Sequence, residues 1–151
     1  FGGKSLTYYI YTAKEELKMG FSAKDTAEIF FLEINPQTPI LFYGSQHFAR
    51  TINIQIKSSG FSQDFLVKAE GAGILFLKVY GTLIEKLIDS KKPIYVDEDA
   101  LIAFEEGIEY EWITGGVKKL LTSGEGGLFK LSGKGKIWIQ SKDRIAFKKE
   151  P

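Results

Sequence analysis

The 151-residue sequence contains no cysteine. This excludes disulfide bonds, thiolate metal ligands and cysteine nucleophiles. A chain without cysteine is compatible with a reducing compartment, and we therefore predict a cytoplasmic location.

Histidine is almost as scarce, since His47 is the only one. A metal site built from several imidazoles is therefore impossible, and no Gly-x-Ser-x-Gly sequence supports a serine hydrolase around His47. The acidic pairs Asp97/Asp99 and Glu105/Glu106 do not have the spacing of a calcium-binding loop. We interpret His47 as a surface or loop residue. We predict a non-enzymatic protein with no catalytic, cofactor-binding or metal-binding residues and no cofactor.

Long apolar runs are also missing. The longest, such as Ile74–Leu77 and Leu101–Phe104, are far too short to span a bilayer, so we expect no transmembrane segment. No basic segment followed by an apolar core opens the chain, so we expect no secretory signal.

The net charge of +1 conceals two charged segments. Seven acidic residues and no basic ones lie between Asp97 and Glu111, whereas seven basic and two acidic residues follow from Lys130. The segments are either two solvated faces of one domain or complementary surfaces that meet between subunits.

The sequence is rich in β-strand and turn signals, with sixteen glycines and 14% aromatic residues. Alternation of apolar and polar residues predicts half-buried strands around Ile52, Ile54 and Ile56 and around Ile108, Tyr110 and Trp112. Ile74–Tyr80 is apolar on both faces and predicts a fully buried strand. No run of ten residues has a helical period. We predict an all-β fold with little helix, either a β-sandwich or a double-stranded β-helix-like structure.

The N-terminal segment has signals of its own. Residues 6–11 have strand composition. Thr12 and Glu15 then form a possible capping box for a short helix ending at Gly20, with a polar hairpin turn as the alternative.

The segment Gly124–Ser141 predicts a glycine-rich loop, a strand, a tight Gly133-Lys134-Gly135 turn and a second strand. A single helical turn is expected just before it, at Val117–Leu121. The glycines lack the pattern of a phosphate-binding loop, so we assign them to turns or bulges.

A shift of 53 or 54 residues aligns the two halves of the chain and predicts an internal duplication. The aligned features are Pro39-Ile40 with Pro93-Ile94, Ala49 with Ala103, Ile54 with Ile108, and Gly71-x-Gly73 with Gly124-x-Gly126. We therefore predict a single domain, 1–151, with a first β unit at 29–88, a second at 93–141 and an extra N-terminal segment at 1–28. Two such units suit two β layers packed face to face.

Several of these segments resemble a known family. They are Gly81–Glu85, Pro93–Phe104, Gly115-Gly116 and Gly124–Ser141, with a looser match over Leu32–Ile34 and Ile52–Ile56. They are similar to the altered-inheritance-of-mitochondria (mitochondrial biogenesis) proteins, which are largely uncharacterised. The resemblance covers residues 29 to 141 and is absent over the first 28 residues.

This resemblance implies a fold similar to the tryptophan RNA-binding attenuation protein, with stacked β-sheets and assembly that is often trimeric. It implies no agreed activity and no catalytic residues. The chain is shorter than typical members, and Gly133-Lys134-Gly135 replaces their frequent Gly-Pro-Gly turn.

These observations predict a homo-oligomeric scaffold or binding domain. The alternative is a nucleic-acid or anionic-ligand binding module that uses Lys134, Lys136 and Trp138, near Lys142 and Arg144. Lys136 and Trp138 share a strand face about 7 Å apart and would hold a phosphate beside a stacked base. The other interpretation is a solvated lysine tip with Trp138 packed in a core or interface. We favour it, since the chain lacks the basic excess of nucleic-acid binders.

Overall fold

The computed structural model describes residues 8–61, 65–114 and 127–142, and it confirms the all-β prediction. Those residues contain ten strands and one short 3-10 turn, Gly44–Gln46. No helix among them is long and apolar enough to cross a membrane. The strands are β1 Glu28–Ile34, β2 Ile40–Tyr43, β3 His47–Arg50, β4 Ile54–Ser58, β5 Leu66–Gly71, β6 Gly73–Val79, β7 Leu83–Asp97, β8 Leu101–Glu105, β9 Ile108–Ile113 and β10 Leu128–Gln140.

The strands form two sheets, as a sandwich requires. The smaller has the order β1-β6-β3, and the larger has the order β4-β5-β2-β8-β10-β7, with β9 also paired to β10. Every ladder is antiparallel. The predicted boundary between the two units, at residues 88–93, lies inside the continuous strand β7.

Two apolar clusters occupy the two faces of the larger sheet, and β2 contributes side chains to each of them. Phe42 is fully buried in the cluster that joins the two sheets, together with Leu32, Leu75 and Leu77. Leu41 points the other way into a second cluster of residues from β2, β5, β7, β8, β9 and β10. Because successive side chains of a strand alternate between faces, a strand buried on both sides carries two adjacent core residues.

The predicted tight turn at Gly133-Lys134-Gly135 is wrong. β10 runs through these residues as one strand and pairs with β7 on both sides of them. The pairing register shifts between Leu131 and Gly133, and Gly133 has a φ of 101°. Glycine permits this backbone in a bulge as readily as in a turn, so the sequence did not distinguish the two.

The predicted N-terminal strand and helix are also absent over the described part, residues 8–27. Tyr8–Tyr11, Leu17 and Met19 are exposed. Strand composition alone does not form a strand when no neighbour supplies hydrogen bonds, and two apolar residues do not anchor a helix.

Two smaller strand predictions also need correction. Ile52 lies outside β4, which begins at Ile54, and its side chain is exposed. β6 is buried on one face only, because Ile74 and Phe76 on the other face are half-buried. The alternation in β9 is confirmed. Several residues named in the sequence predictions lie outside the described residues, namely Gly115-Gly116, Val117–Leu121, Gly124–Gly126 and Arg144.

Candidate interaction surfaces

Trp138 belongs to the core and offers no open ring face. It is 5% exposed and packs in the cluster that joins the two sheets. Its indole Nε1 donates a hydrogen bond of 2.9 Å to Oε2 of Glu85, which lies directly across the ladder on β7. A nucleobase therefore finds no stacking surface on Trp138 in this structure.

Lys136, the lysine nearest Trp138 in the sequence, has two carboxylates beside it. Lys136 Nζ lies 3.0 Å from Oε1 of Glu85, and its backbone N–H donates to Glu105 at 2.9 Å. The hydrogen bond from Lys136, with a further one from Trp138, lowers the pKa of Glu85 below its usual value, so this carboxylate is ionised at neutral pH. Lys134 is exposed. Glu85 therefore neutralises Lys136, so the described residues around Lys134 and Lys136 do not form a strongly cationic surface.

One ion pair joins the predicted acidic and basic segments among the described residues, and a second ties the acidic segment to β5. Glu111 on β9 faces Lys130 on β10 at 3.2 Å, and Glu106 contacts Lys68 at 3.0 Å. Exposed ion pairs of this kind contribute little stability. Among the described residues, no three His, Asp or Glu side chains are placed to hold a metal ion.

A buried amide pair links distant segments and was not predicted from the sequence. Gln140 Oε1 accepts hydrogen bonds from Gln46 at 3.3 Å and from the backbone N–H of Tyr80 at 3.0 Å. Its Nε2 donates to the carbonyl of Asp99 at 2.7 Å. The only sequence signal was a polar residue at the end of an apolar strand, which is equally typical of a strand terminus.

A cavity of about 150 Å³ opens beside β3. His47 and Arg50 line it together with Tyr8, Phe42, Gly44, Ile56 and Val67. Arg50 Nη1 lies 3.2 Å from His47 Nε2, and the Arg50 guanidinium is 4.6 Å from the centre of the Tyr8 ring. His47 was expected on the surface or in a loop, but it begins a strand and is half-buried.

Burial first, and the neighbouring Arg50 cation second, lower the pKa of His47 to about 4. His47 is therefore neutral at pH 7, and Nε2 is free of a proton if it accepts from Arg50. The cavity has one permanent cation and one neutral imidazole. The phenol of Tyr8 is the third ionisable group among the described residues that line it.

The family model for mitochondrial biogenesis AIM24 matches residues 1–142. The chain belongs to this family. The match includes the first 28 residues, so the expectation that the resemblance starts near residue 29 was wrong. Family membership therefore covers residues 1–28 as well as the two sheets.

Among solved structures, the fold is similar to an X-ray crystal structure of a Streptococcus pyogenes protein from the Northeast Structural Genomics Consortium. The TM-score is 0.63 at 21% identity, over 77% of this chain and 55% of that one. The AIM24 chain thus spans about half the length of the streptococcal protein, and the likeness concerns the fold alone. No curated protein matches it in sequence.

The AIM24 chain exposes apolar side chains on its sheets as well as on its N-terminal segment. The exposed residues on or beside strands are Ile29, Phe31, Ile52, Ile84, Leu87 and Tyr95. Among the described residues, β3 pairs only with β6, and β7 pairs only with β10. Unpaired strand edges next to exposed apolar residues form surfaces to which another chain can bind.

Proposed function

We propose that this AIM24 domain is a non-enzymatic β-sandwich scaffold or binding module that acts as a homo-oligomer. The observation that carries the proposal is the coincidence of unpaired strand edges with exposed apolar residues, Ile52 beside β3 and Tyr95 on β7. A monomeric protein would leave both in water, whereas self-association buries them.

The proposed non-enzymatic role is supported by the chemistry of the cavity beside β3. Its ionisable groups are His47, which is neutral at pH 7, the cation Arg50 and the phenol of Tyr8. Turnover of a hydrolytic or transfer substrate that disappears in the His47→Leu variant would contradict this part of the proposal.

Size-exclusion chromatography with multi-angle light scattering over a range of concentrations tests the self-association. We expect a single species with a mass that is a multiple of 16.9 kDa. A strict monomer at the highest concentration would contradict the proposal.

The domain is also proposed to act in the cytoplasm, in line with its lack of cysteine. Cell fractionation tests this location, and recovery of the folded protein from an oxidising compartment would contradict it.

The nucleic-acid alternative remains a prediction. Because Trp138 is buried, this alternative now depends on contacts of Lys134 and Lys136 with the phosphate backbone of the nucleic acid. Filter binding to single-stranded RNA and DNA at low salt tests it, with Lys134→Ala/Lys136→Ala as the control. Salt-sensitive binding that this variant loses would favour the alternative, and no binding at low salt would reject it.

A further inference from the structure

The strand ladders of the two halves follow one pattern. In the first half Leu41 pairs with Lys68, and the residues 54 and 62 positions further along, Tyr95 and Lys130, pair in the second half. The same two offsets relate every other ladder of the first half to one in the second. The matching pairs are Ile34↔Gly73 with Ile88↔Gly135, Arg50↔Leu75 with Phe104↔Ile137, and Ile54↔Gly71 with Ile108↔Gly133.

The irregularities correspond as well. The ladder of β3 skips Phe48, and the ladder of β8 skips Ile102, which is 54 positions later. Gly71 and Gly73 have φ of 117° and 158°, and Gly133 and Gly135 have 101° and 156°. These registers give Gly71-x-Gly73 a counterpart at Gly133-x-Gly135, not at Gly124-x-Gly126. Shared bulges are more specific than shared strands, so the two halves are two copies of one β unit.

One ladder joins the two units. β2 of the first unit pairs with β8 of the second, through Ile40↔Glu105, Leu41↔Phe104 and Phe42↔Ala103. Subtracting or adding 54 gives the reciprocal partners, namely Ile94–Val96 of β7 and Ala49–Thr51 at β3. Both have one edge that is unpaired among the described residues.

The burial of the two copies differs where this ladder is missing. The first four residues of β8 are all 0% exposed, whereas their four counterparts in β3 are half-buried. The β8 residues are Leu101, Ile102, Ala103 and Phe104. Leu41 is 3% exposed, and its counterpart Tyr95 is 47% exposed. β2 of the first unit covers the edge of β8 in the second, whereas the described residues of a single chain give β3 no such neighbour.

We propose that the missing ladder forms between molecules. Ile94, Tyr95 and Val96 of one copy pair antiparallel with Thr51, Arg50 and Ala49 of the next, in the register that joins β2 to β8 within the chain. The two surfaces differ, so the contact is head-to-tail and closes into a ring when the rotation allows. This inference rests on the proposed self-association and specifies its surface and partner, a second copy of the chain.

A backbone hydrogen bond supports the same register. Within the chain the N–H of Glu106 donates to the carbonyl of Pro39 at 2.9 Å. The counterparts are the N–H of Ile52 and the carbonyl of Pro93 in the neighbouring copy. This contact would also cover Ile52, which is 75% exposed in a single chain.

The charges across the proposed contact are complementary. Tyr43, Leu101 and Phe104 all belong to the second core cluster. The counterpart of Tyr43 is Asp97, and those of Leu101 and Phe104 are His47 and Arg50. Positions that share an apolar cluster inside the chain thus carry a carboxylate and a guanidinium across the proposed contact, at the cavity that opens beside β3. The Tyr8 ring already lies over Arg50, so the incoming Tyr95 approaches beside it.

Engineered disulfides test the register, because the chain has no cysteine of its own. Directly opposed residues of antiparallel strands have Cβ atoms about 4.5–5.5 Å apart, which is close to disulfide geometry. The Tyr95→Cys and Arg50→Cys single variants are mixed and mildly oxidised. We expect a covalent dimer in the mixture that exceeds the homodimers of either variant alone. Leu87→Cys, on the first part of β7, is the matched control and should give little cross-linking with Arg50→Cys.

Light scattering of Tyr95→Arg provides a second measurement that does not depend on the cysteines. A cation opposite Arg50 should weaken self-association about tenfold or more. Leu87→Arg, at a residue that is also exposed, should leave it unchanged. A multimer that shows neither the mixed disulfide nor weakening by Tyr95→Arg would overturn the register while leaving the scaffold proposal standing. A monomeric wild type would overturn both.

Discussion

β3 and β8 occupy corresponding positions in the strand ladders of the two halves of the chain, yet they have different surroundings. β8 pairs with β10 on one side and β2 on the other, and its first four residues are fully buried. In the described part of the chain β3 pairs with β6 alone, and its four residues are half-buried. The composition follows the environment. Leu101 and Phe104 stand where β3 has His47 and Arg50.

The difference in composition suits two kinds of contact, the β2–β8 ladder inside the chain and the proposed ladder between β7 and β3 of two copies. An apolar strand with a free edge risks pairing with any exposed strand, and charged side chains on such edges reduce that risk. Arg50 and His47 keep β3 compatible with water, while Arg50 still suits a partner that carries Asp97. The permanent contact inside the chain has no need for polar residues.

The largest effect is expected when the arginine of β3 is placed in β8. Phe104→Arg removes a fully buried ring and buries a cation, so the free energy of unfolding should fall by more than about 4 kcal/mol. The reverse change, Arg50→Phe, should alter the free energy of unfolding by less than about 1 kcal/mol. Urea denaturation measures both. Equal losses in the two variants would contradict the difference in burial.

A smaller effect is expected at the residue pair Trp138 and Phe76, which are also counterparts. Trp138→Ala should lower the free energy of unfolding by about 3–5 kcal/mol, because it leaves a core cavity. Phe76→Ala should cost about 1–2 kcal/mol in a monomer, because Phe76 is only half-buried. Trp138→Phe keeps a ring and serves as the control. A Trp138→Ala variant as stable as the wild type would place Trp138 outside the core.

The pH dependence of the free energy of unfolding should also reflect the difference between His47 in β3 and Leu101 in β8. The pKa of His47 is about 4 when folded and near 6.5 when unfolded, so the unfolded chain binds more protons between these values. The contribution of neutral His47 is complete above pH 6.5 and is lost as the pH falls towards 4. Allowing for partial exposure, the loss is about 2 kcal/mol. His47→Leu, which copies Leu101, should lose less stability between pH 7 and 5. Identical profiles would contradict the burial of His47.

The smallest effect is expected at the surface of β10. Lys136→Ala removes an exposed ion pair with Glu85 and should lower the free energy of unfolding by about 0.5 kcal/mol. Lys134→Ala is the control and should have no measurable effect. A Lys136→Ala loss as large as that of Trp138→Ala would mean that the ion pair, rather than burial, holds Trp138 in place.

The strands whose side chains alternate were predictable, because burial on one face leaves a period of two in the sequence. β9 is the clearest example, because Glu109 and Glu111 are exposed while Ile108 is buried and Tyr110 is half-buried. The bulge in β10 was not predictable, because Gly133 and Gly135 suit a turn as well as a bent strand. The half-burial of His47 was also missed. It depends on β6 and on the N-terminal Tyr8, which are distant in sequence.

Hydrogen–deuterium exchange of β3 compared with β8 tests the central claim most directly. At high protein concentration, the outward-facing amides at residues 49–52 should exchange nearly as slowly as their counterparts at residues 103–106. On dilution, only the β3 amides should accelerate, because only their partner lies on another molecule. Rapid exchange at β3 at every concentration would contradict the proposed ladder between molecules.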